Sequence, residues 1–188
     1  MRAGLTADRL VMAGAELADA DGFDAVTVSA LARHFDVRSA SVYSHLAGSN
    51  DLRTRIAQLA LAELADRAVL ALAGRSGRDA LVALADVYRD YAFEHPGRYA
   101  AAQLRIDPGT AAAGAGPRHA TMARAVLIGY DVPEPDLTHA VRLLGSVIRG
   151  FVDLELGGAF DYSEPDAESS WRRSLDALDT LLRNWENR

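Results

Sequence analysis

The spacing of apolar residues over 28–46, VSALARHFDVRSASVYSHL, constrains the fold more than any other feature of this chain. Leu31, Ala32 and Phe35 fall on one face of a short helix. Val37 follows a tight turn, and Val42 and Leu46 mark one face of a second short helix. Two helices crossing steeply need a small residue where their backbones approach, and Ala32 stands there. The pattern is that of a helix-turn-helix. The other face of its second helix carries Ser39, Ala40, Ser41, Ser44 and His45. Small, hydroxyl-bearing side chains on an exposed helix suit entry into a DNA major groove.

The rest of the chain reads as helical too. Nearly half of its 188 residues are apolar (49%), rich in Ala and poor in β-branched runs, a composition that favours helices. There is no cysteine, so disulfides, thiolate metal sites and thiol redox sensing are excluded. With no signal-like region and no apolar run of membrane-spanning length, the chain is expected to be soluble and cytoplasmic. The net charge of −6 argues against a general nucleic-acid coat protein. Its distribution is more telling. Residues 25–60 carry four arginines (33, 38, 53 and 55) against Asp36 and Asp51, a balance of +2. Residues 61–188 carry 14 arginines against 19 acids, a balance of −5. A mildly basic head on an acidic body fits a small sequence-specific reader.

Catalysis needs a constellation, and none is legible. There is no Glu-x-x-His, no histidine pair at i, i+4 and no glycine-rich phosphate loop. His95, His119 and His139 stand apart from one another. An enzyme is not expected, and no catalytic residue, metal or cofactor is implied.

Periodicity and breakers order the chain into helices. The first covers about 6–20, striped by Leu10, Ala13, Leu17 and Ala18, with Asp21-Gly22 as its stop. Phe23 and Val26 are placed to pack back on it, and Thr27 to cap the next helix. After the helix-turn-helix, Gly48-Ser49-Asn50-Asp51 is a turn and cap opening a long fourth helix, 49–72. Leu81, Leu84, Val87, Tyr88 and Tyr91 stripe a fifth, stopped at His95-Pro96-Gly97, and 98–104 is a short sixth. Residues 107–117, DPGTAAAGAGP, read as a flexible loop. A seventh spans 118–128. Two long helices follow, one lined by Leu137, Val141, Leu144, Ile148, Phe151 and Val152, the other by Trp171, Leu175, Leu178, Leu182 and Trp185. In the first, Gly145 and Gly150 leave room for close backbone approach. The expected fold is all-α, about nine helices. Residues 1–48 form a DNA-binding domain, 49–72 connect, and 49–188 form a second helical domain.

In this context the chain resembles the TetR family of bacterial transcriptional regulators. The residues that carry the resemblance are Thr27, Val28, Leu31-Ala32, Val37, Ser41-Val42-Tyr43, His45-Leu46 and Asp51-Leu52. A weaker resemblance extends over Tyr88 to Tyr99, Arg149-Gly150-Phe151 and Leu154 to Phe160, and is similar to a subgroup named for a Trp-His-Gly motif. Here Ile148-Arg149-Gly150 stands at that motif. Two further departures lie in the head. Asp36 occupies the turn where relatives place Gly, and Asp tolerates a left-handed backbone better than most residues. Asn50 replaces a common Lys, keeping a phosphate donor but losing its charge.

The resemblance implies roles. Thr27 and Tyr43 contact backbone phosphates, against plainer roles as an N-cap and a packed ring. Arg38, Ser39, Ala40, Ser41 and Ser44 are candidates for base edges, with Arg38 reaching either guanine or phosphate. His45 and Asn50 approach phosphate. The family also implies a palindromic operator read by a homodimer, with half-sites about one DNA turn apart. The dimer surface is expected at Leu137, Val141, Leu144, Ile148, Trp171, Leu175, Leu178, Leu182 and Trp185. A small-molecule effector pocket is expected among Tyr88, Tyr91, Phe93, Tyr99, Met122, Arg149 and Phe151, gated by the 107–117 loop. The alternatives are an activator of the same type and a helical ligand carrier without DNA function. Failure to shift any fragment of its own promoter region would favour the carrier.

Overall fold

The computed structural model describes residues 4–185. Among them every regular element is helical: ten α-helices and two 3-10 turns, with no strand. None of these helices is long and apolar enough to cross a membrane. Packing divides the chain into two compact units. The first combines 1–63 with 94–115, and the second combines 64–93 with 116–188. These packing units do not follow the functional division expected at residue 48, because 94–115 group with the N-terminal helices.

In the first unit, α1 (Ala7–Asp21) starts where the Thr6 hydroxyl accepts the Arg9 amide at 3.3 Å and ends at Gly22. A 3-10 turn, Phe23–Ala25, leads to α2 (Val28–His34), then α3 (Ser39–Tyr43). The long α4 (Ser49–Leu72) follows, and the division between units falls inside it. Leu10, Ala15, Val26, Leu31, Val42, Leu52 and Ile56 are wholly buried and hold α1 to α4 together, so the apolar stripes meet as the spacing predicts. Val37, which follows the turn, stays 36% exposed, while its amide closes the turn onto the Ala32 carbonyl. The unit is completed by α6 (Pro96–Ala102), whose Ala101 enters the same core, and by α7 (Pro108–Ala113).

That last helix corrects the expectation of a loop over 107–117. The Asp107 carboxylate accepts the Gly109 and Thr110 amides at 3.0 and 3.1 Å, Pro108 sits in the first turn, and an alanine run follows. An acidic cap, proline at the first position and alanine behind it start a helix. The Gly/Ala composition conceals that order.

In the second unit, the remainder of α4 packs with α5 (Gly77–Glu94, to Phe93), α8 (Gly116–Ile128), α9 (Leu137–Leu156) and α10 (Ala167–Arg183). Trp171 is fully buried and donates its indole N–H to Asp86 at 2.8 Å. Arg89, largely covered, makes two bonds to Glu155 at 2.6 and 2.8 Å and a third to Glu168, joining α5 to α9 and α10. Tyr130 donates to Asp179, the buried carboxylate, at 2.8 Å, and Arg183 closes on the same group at 2.9 Å.

The α9 and α10 stripes expected at a dimer surface lie in this core instead. Leu137, Leu144, Ile148, Trp171, Leu175, Leu178 and Leu182 are at most 8% exposed within the single chain. Val141 is half-buried, and Trp185 is half-buried with its indole N–H on Asp136 at 3.0 Å. The physical reason is simple: an apolar stripe packs against whatever apolar face is nearest, and α9 and α10 have each other and α5. Gly145 and Gly150 lie on the outer face of α9, where an added Cβ would meet nothing within 4 Å.

Candidate nucleic-acid interface

The head begins with the two ends of α2. Thr27 caps it, its hydroxyl oxygen accepting the Ala30 amide at 3.1 Å. That bond uses an oxygen lone pair, so the hydroxyl proton remains for a phosphate. At the other end the Val37 amide donates to the Ala32 carbonyl at 2.9 Å, and Asp36 takes φ 53°. The turn is therefore made by an aspartate in the left-handed region, a conformation that glycine adopts without strain.

Behind α3, Val42 is fully buried and Leu46 is 2% exposed, fixing which face turns outward. Arg38, Ala40, Ser41, Tyr43, Ser44 and His45 are exposed, and Ser39 and Thr27 are half-buried. Tyr43 is 57% exposed, so its ring is not a core residue and its phenol is free to meet a partner. Ser44 donates to the Ser41 carbonyl at 2.7 Å, leaving it chiefly an acceptor. Asn50 is exposed in the first turn of α4.

The basic residues of this stretch divide into two kinds. Arg53 pairs with Asp24 at 3.0 Å and stacks 4.1 Å from the Phe23 ring, and Arg55 pairs with Asp51 at 2.8 Å. Among the described residues Arg33 and Arg38 have no ion-pair partner, so their charges are available to an anion. Arg53 and Arg55 instead hold the frame. The Arg55 guanidinium lowers the Asp51 pKa below the usual carboxylate range; partial burial opposes it, and the Ala47 amide, bonded at 2.9 Å, reinforces it.

The sequence places Ser49 in a turn, and the structure adds a task to it. Its hydroxyl oxygen accepts the Val28 amide at 3.1 Å, tying the start of α4 to the start of α2. A serine beside a helix start is the only signal in the sequence, and it names no partner.

The expected effector residues are not gathered in one place. Tyr91 is fully buried, Met122 is 7% exposed, and Phe151 stacks on Trp171 with centroids 5.0 Å apart. The Tyr88 hydroxyl lies 2.5 Å from His119 Nδ1, and burial pushes its pKa up to about 12. Tyr99 belongs to the first unit, not to the second with the others. Two are corrected. Phe93 is 49% exposed, and Arg149 lies on the outer face of α9 against Asp153 at 3.3 Å, because each falls on the solvent side of its helix. A surface hollow of about 530 Å³ lies at Gly4, Leu5, Arg9 and His34 to Val37, and none of the seven lines it.

A capped helix, a left-handed turn and a second helix presenting an exposed, partly cationic face define a helix-turn-helix protein of the DNA-reading class. Comparison with known proteins gives the family. Residues 81–178 match a family model described as a tetracyclin repressor-like C-terminal domain. Over 99% of its length the chain is 32% identical to 97% of YobS of Bacillus subtilis (strain 168), described as an uncharacterized HTH-type transcriptional regulator. It is 31% identical, over 88% of its length and 77% of the relative's, to the HTH-type regulator Rv0681 of Mycobacterium tuberculosis. Its fold matches the crystal structure of a TetR variant from Acinetobacter baumannii AYE in complex with minocycline, with a TM-score of 0.68, 20% identity and 98% of both chains covered. The chain belongs to the TetR family of transcriptional regulators, and its relatives are regulators rather than enzymes. The finer likeness to the Trp-His-Gly subgroup rests on the residues quoted for it alone.

Proposed function

We propose that this regulator is a cytoplasmic repressor that reads a palindromic DNA operator as a homodimer and is released by a small molecule. The outward face of α3 carries the reading: Tyr43 stands 57% exposed directly beside the fully buried Val42. Thr27, Tyr43, His45 and Asn50 serve phosphates; Arg38, Ser39, Ala40, Ser41 and Ser44 face the groove. Functionally, residues 1–48 read, α4 connects, and 49–188 sense and dimerise. The outer face of α9, with Arg142, Gly145, Ser146 and Gly150, is the dimer surface this reading requires, since its inner stripe is occupied. Release follows if an effector binds better to the state that does not fit the operator. The minocycline bound in the Acinetobacter structure supports the idea of an effector, not its identity.

The test is selection of bound duplexes from a random library, followed by a screen for metabolites that release the recovered site. A two-fold symmetric site is expected, and a site without that symmetry overturns the dimer. Tyr43→Ala or Ser41→Arg retaining full affinity overturns the assignment of α3. Recovery of no duplex at all favours the carrier reading.

A further inference from the structure

The most extensive contact between helices in the first unit is that of α6 with α1, and it is built in an unusual way. Gly97, in the first turn of α6, lies against the backbone of α1. A Cβ added there would stand 2.0 Å from both the carbonyl carbon and the oxygen of Ala18. Those are backbone atoms near the end of a packed helix and cannot swing aside.

Beside that contact, α6 lacks a cap of its own. His95 occupies the N-cap position without a side-chain cap bond, and Pro96 has no N–H. The Arg98 amide, one of the donors a first turn leaves unmatched, is taken by Asp19 Oδ1 of α1 at 2.8 Å. The same carboxylate holds His95 Nδ1 at 3.1 Å through Oδ2. Arg98 Nε also lies 3.1 Å from Oδ2, within ion-pair distance but off hydrogen-bond geometry, while its terminal nitrogen reaches Glu63 of α4 at 3.3 Å. An acid in the last turn of α1 is misplaced for that helix's own dipole. Its position makes sense as a cap supplied from α1 to α6.

The helix so held is α1, whose Leu10 and Ala15 share a core with Leu31 and Val42 of the reading motif; Ala101 of α6 enters the same core. We propose that Gly97 and Asp19 are positioning residues for DNA reading: they lock α6 onto α1 and thereby set the DNA affinity of a face they do not touch. The lock lies immediately after the passage of the chain from the second unit to the first, between Phe93 and Glu94. The inference rests on the assignment of α3 as the reading helix.

The test uses the full-length protein and the duplex recovered by selection with the wild type. Gly97→Ala and Asp19→Ala are expected to weaken binding at least tenfold at a temperature where denaturation curves show each variant folded. Asp19→Asn, which keeps the acceptor for the Arg98 amide and the residue's size, is expected to fall between Asp19→Ala and wild type. Because neither residue meets phosphate, the slope of log affinity against log salt should keep its wild-type value. Affinities within twofold of wild type for folded Gly97→Ala or Asp19→Ala overturn the proposal, as does a salt slope reduced by about one, the signature of a lost phosphate contact. Hydrogen exchange of the DNA-free protein decides independently of the operator. Faster exchange confined to α6 and the last turns of α1 in Asp19→Asn is expected, and unchanged exchange there overturns the lock even if no duplex is recovered.

Discussion

The Ser49 hydroxyl oxygen accepts the amide hydrogen of Val28 at 3.1 Å, joining two helix starts 21 residues apart. Val28 is 3% exposed, so this amide has little access to solvent. Ser49→Ala would leave the donor buried and unmatched, at a cost of about 1–3 kcal/mol. Urea unfolding of the variant should show that loss as a lower midpoint at unchanged slope. An unchanged midpoint would mean that water replaces the bond.

Asp36 is a non-glycine residue at φ 53° in the turn between α2 and α3. Asp36→Gly removes the Cβ crowding of the left-handed region while adding freedom to the unfolded chain. The first effect should prevail by about 0.5–1 kcal/mol, raising the melting temperature by about 1–4 °C for a chain of this size. A lower melting temperature would show that the Asp side chain contributes more to the turn than its backbone strain costs.

Burial holds the Tyr88 phenol up to about 12, against an ordinary 10.0. The folded state therefore keeps this proton more firmly than the unfolded state does. Its contribution to stability is complete below pH 10 and is lost as pH rises towards 12, about 2–3 kcal/mol in all. Tyr88→Phe should lose less stability than wild type over that window. Identical alkaline profiles for the two proteins would refute the assignment to Tyr88.

Leu175 is 1% exposed in the core of the second unit. Leu175→Ala should therefore lower stability by about 2–5 kcal/mol through lost burial and a residual cavity. A surface leucine serving only a dimer would behave differently, leaving stability intact and raising the dissociation constant of the pair. Denaturation together with sedimentation at several protein concentrations separates the two.

Much of the head was legible because its determinants are local. Thr6 and Thr27 cap the helices that follow them, and the buried set Leu31, Val42 and Leu46 repeats at helical spacing. The α7 segment was legible in principle. Asp107-Pro108 is a helix start, but four alanines and three glycines over 107–117 read more like a flexible composition than an ordered one. The partners of Ser49 and Asp19 were not legible at all. Each is a polar residue near a helix end whose hydrogen bond goes to a distant element, and no periodicity records that. The outward positions of Phe93 and Arg149 were missed for a related reason. Aromatic and cationic residues appear on either side of an amphipathic helix, and type alone does not choose the side.

The spacing from Val28 to Leu46 by itself determined a helix-turn-helix and which face of it is buried, because helical periodicity is set by each residue's near neighbours. Only the tertiary structure decided which apolar stripes would find partners within the chain. It gave those of α9 and α10 to the monomer's own core, since buried area is gained from any apolar face within reach. It also decided that α6 packs against α1, through a backbone contact at Gly97 that no property of a lone glycine announces.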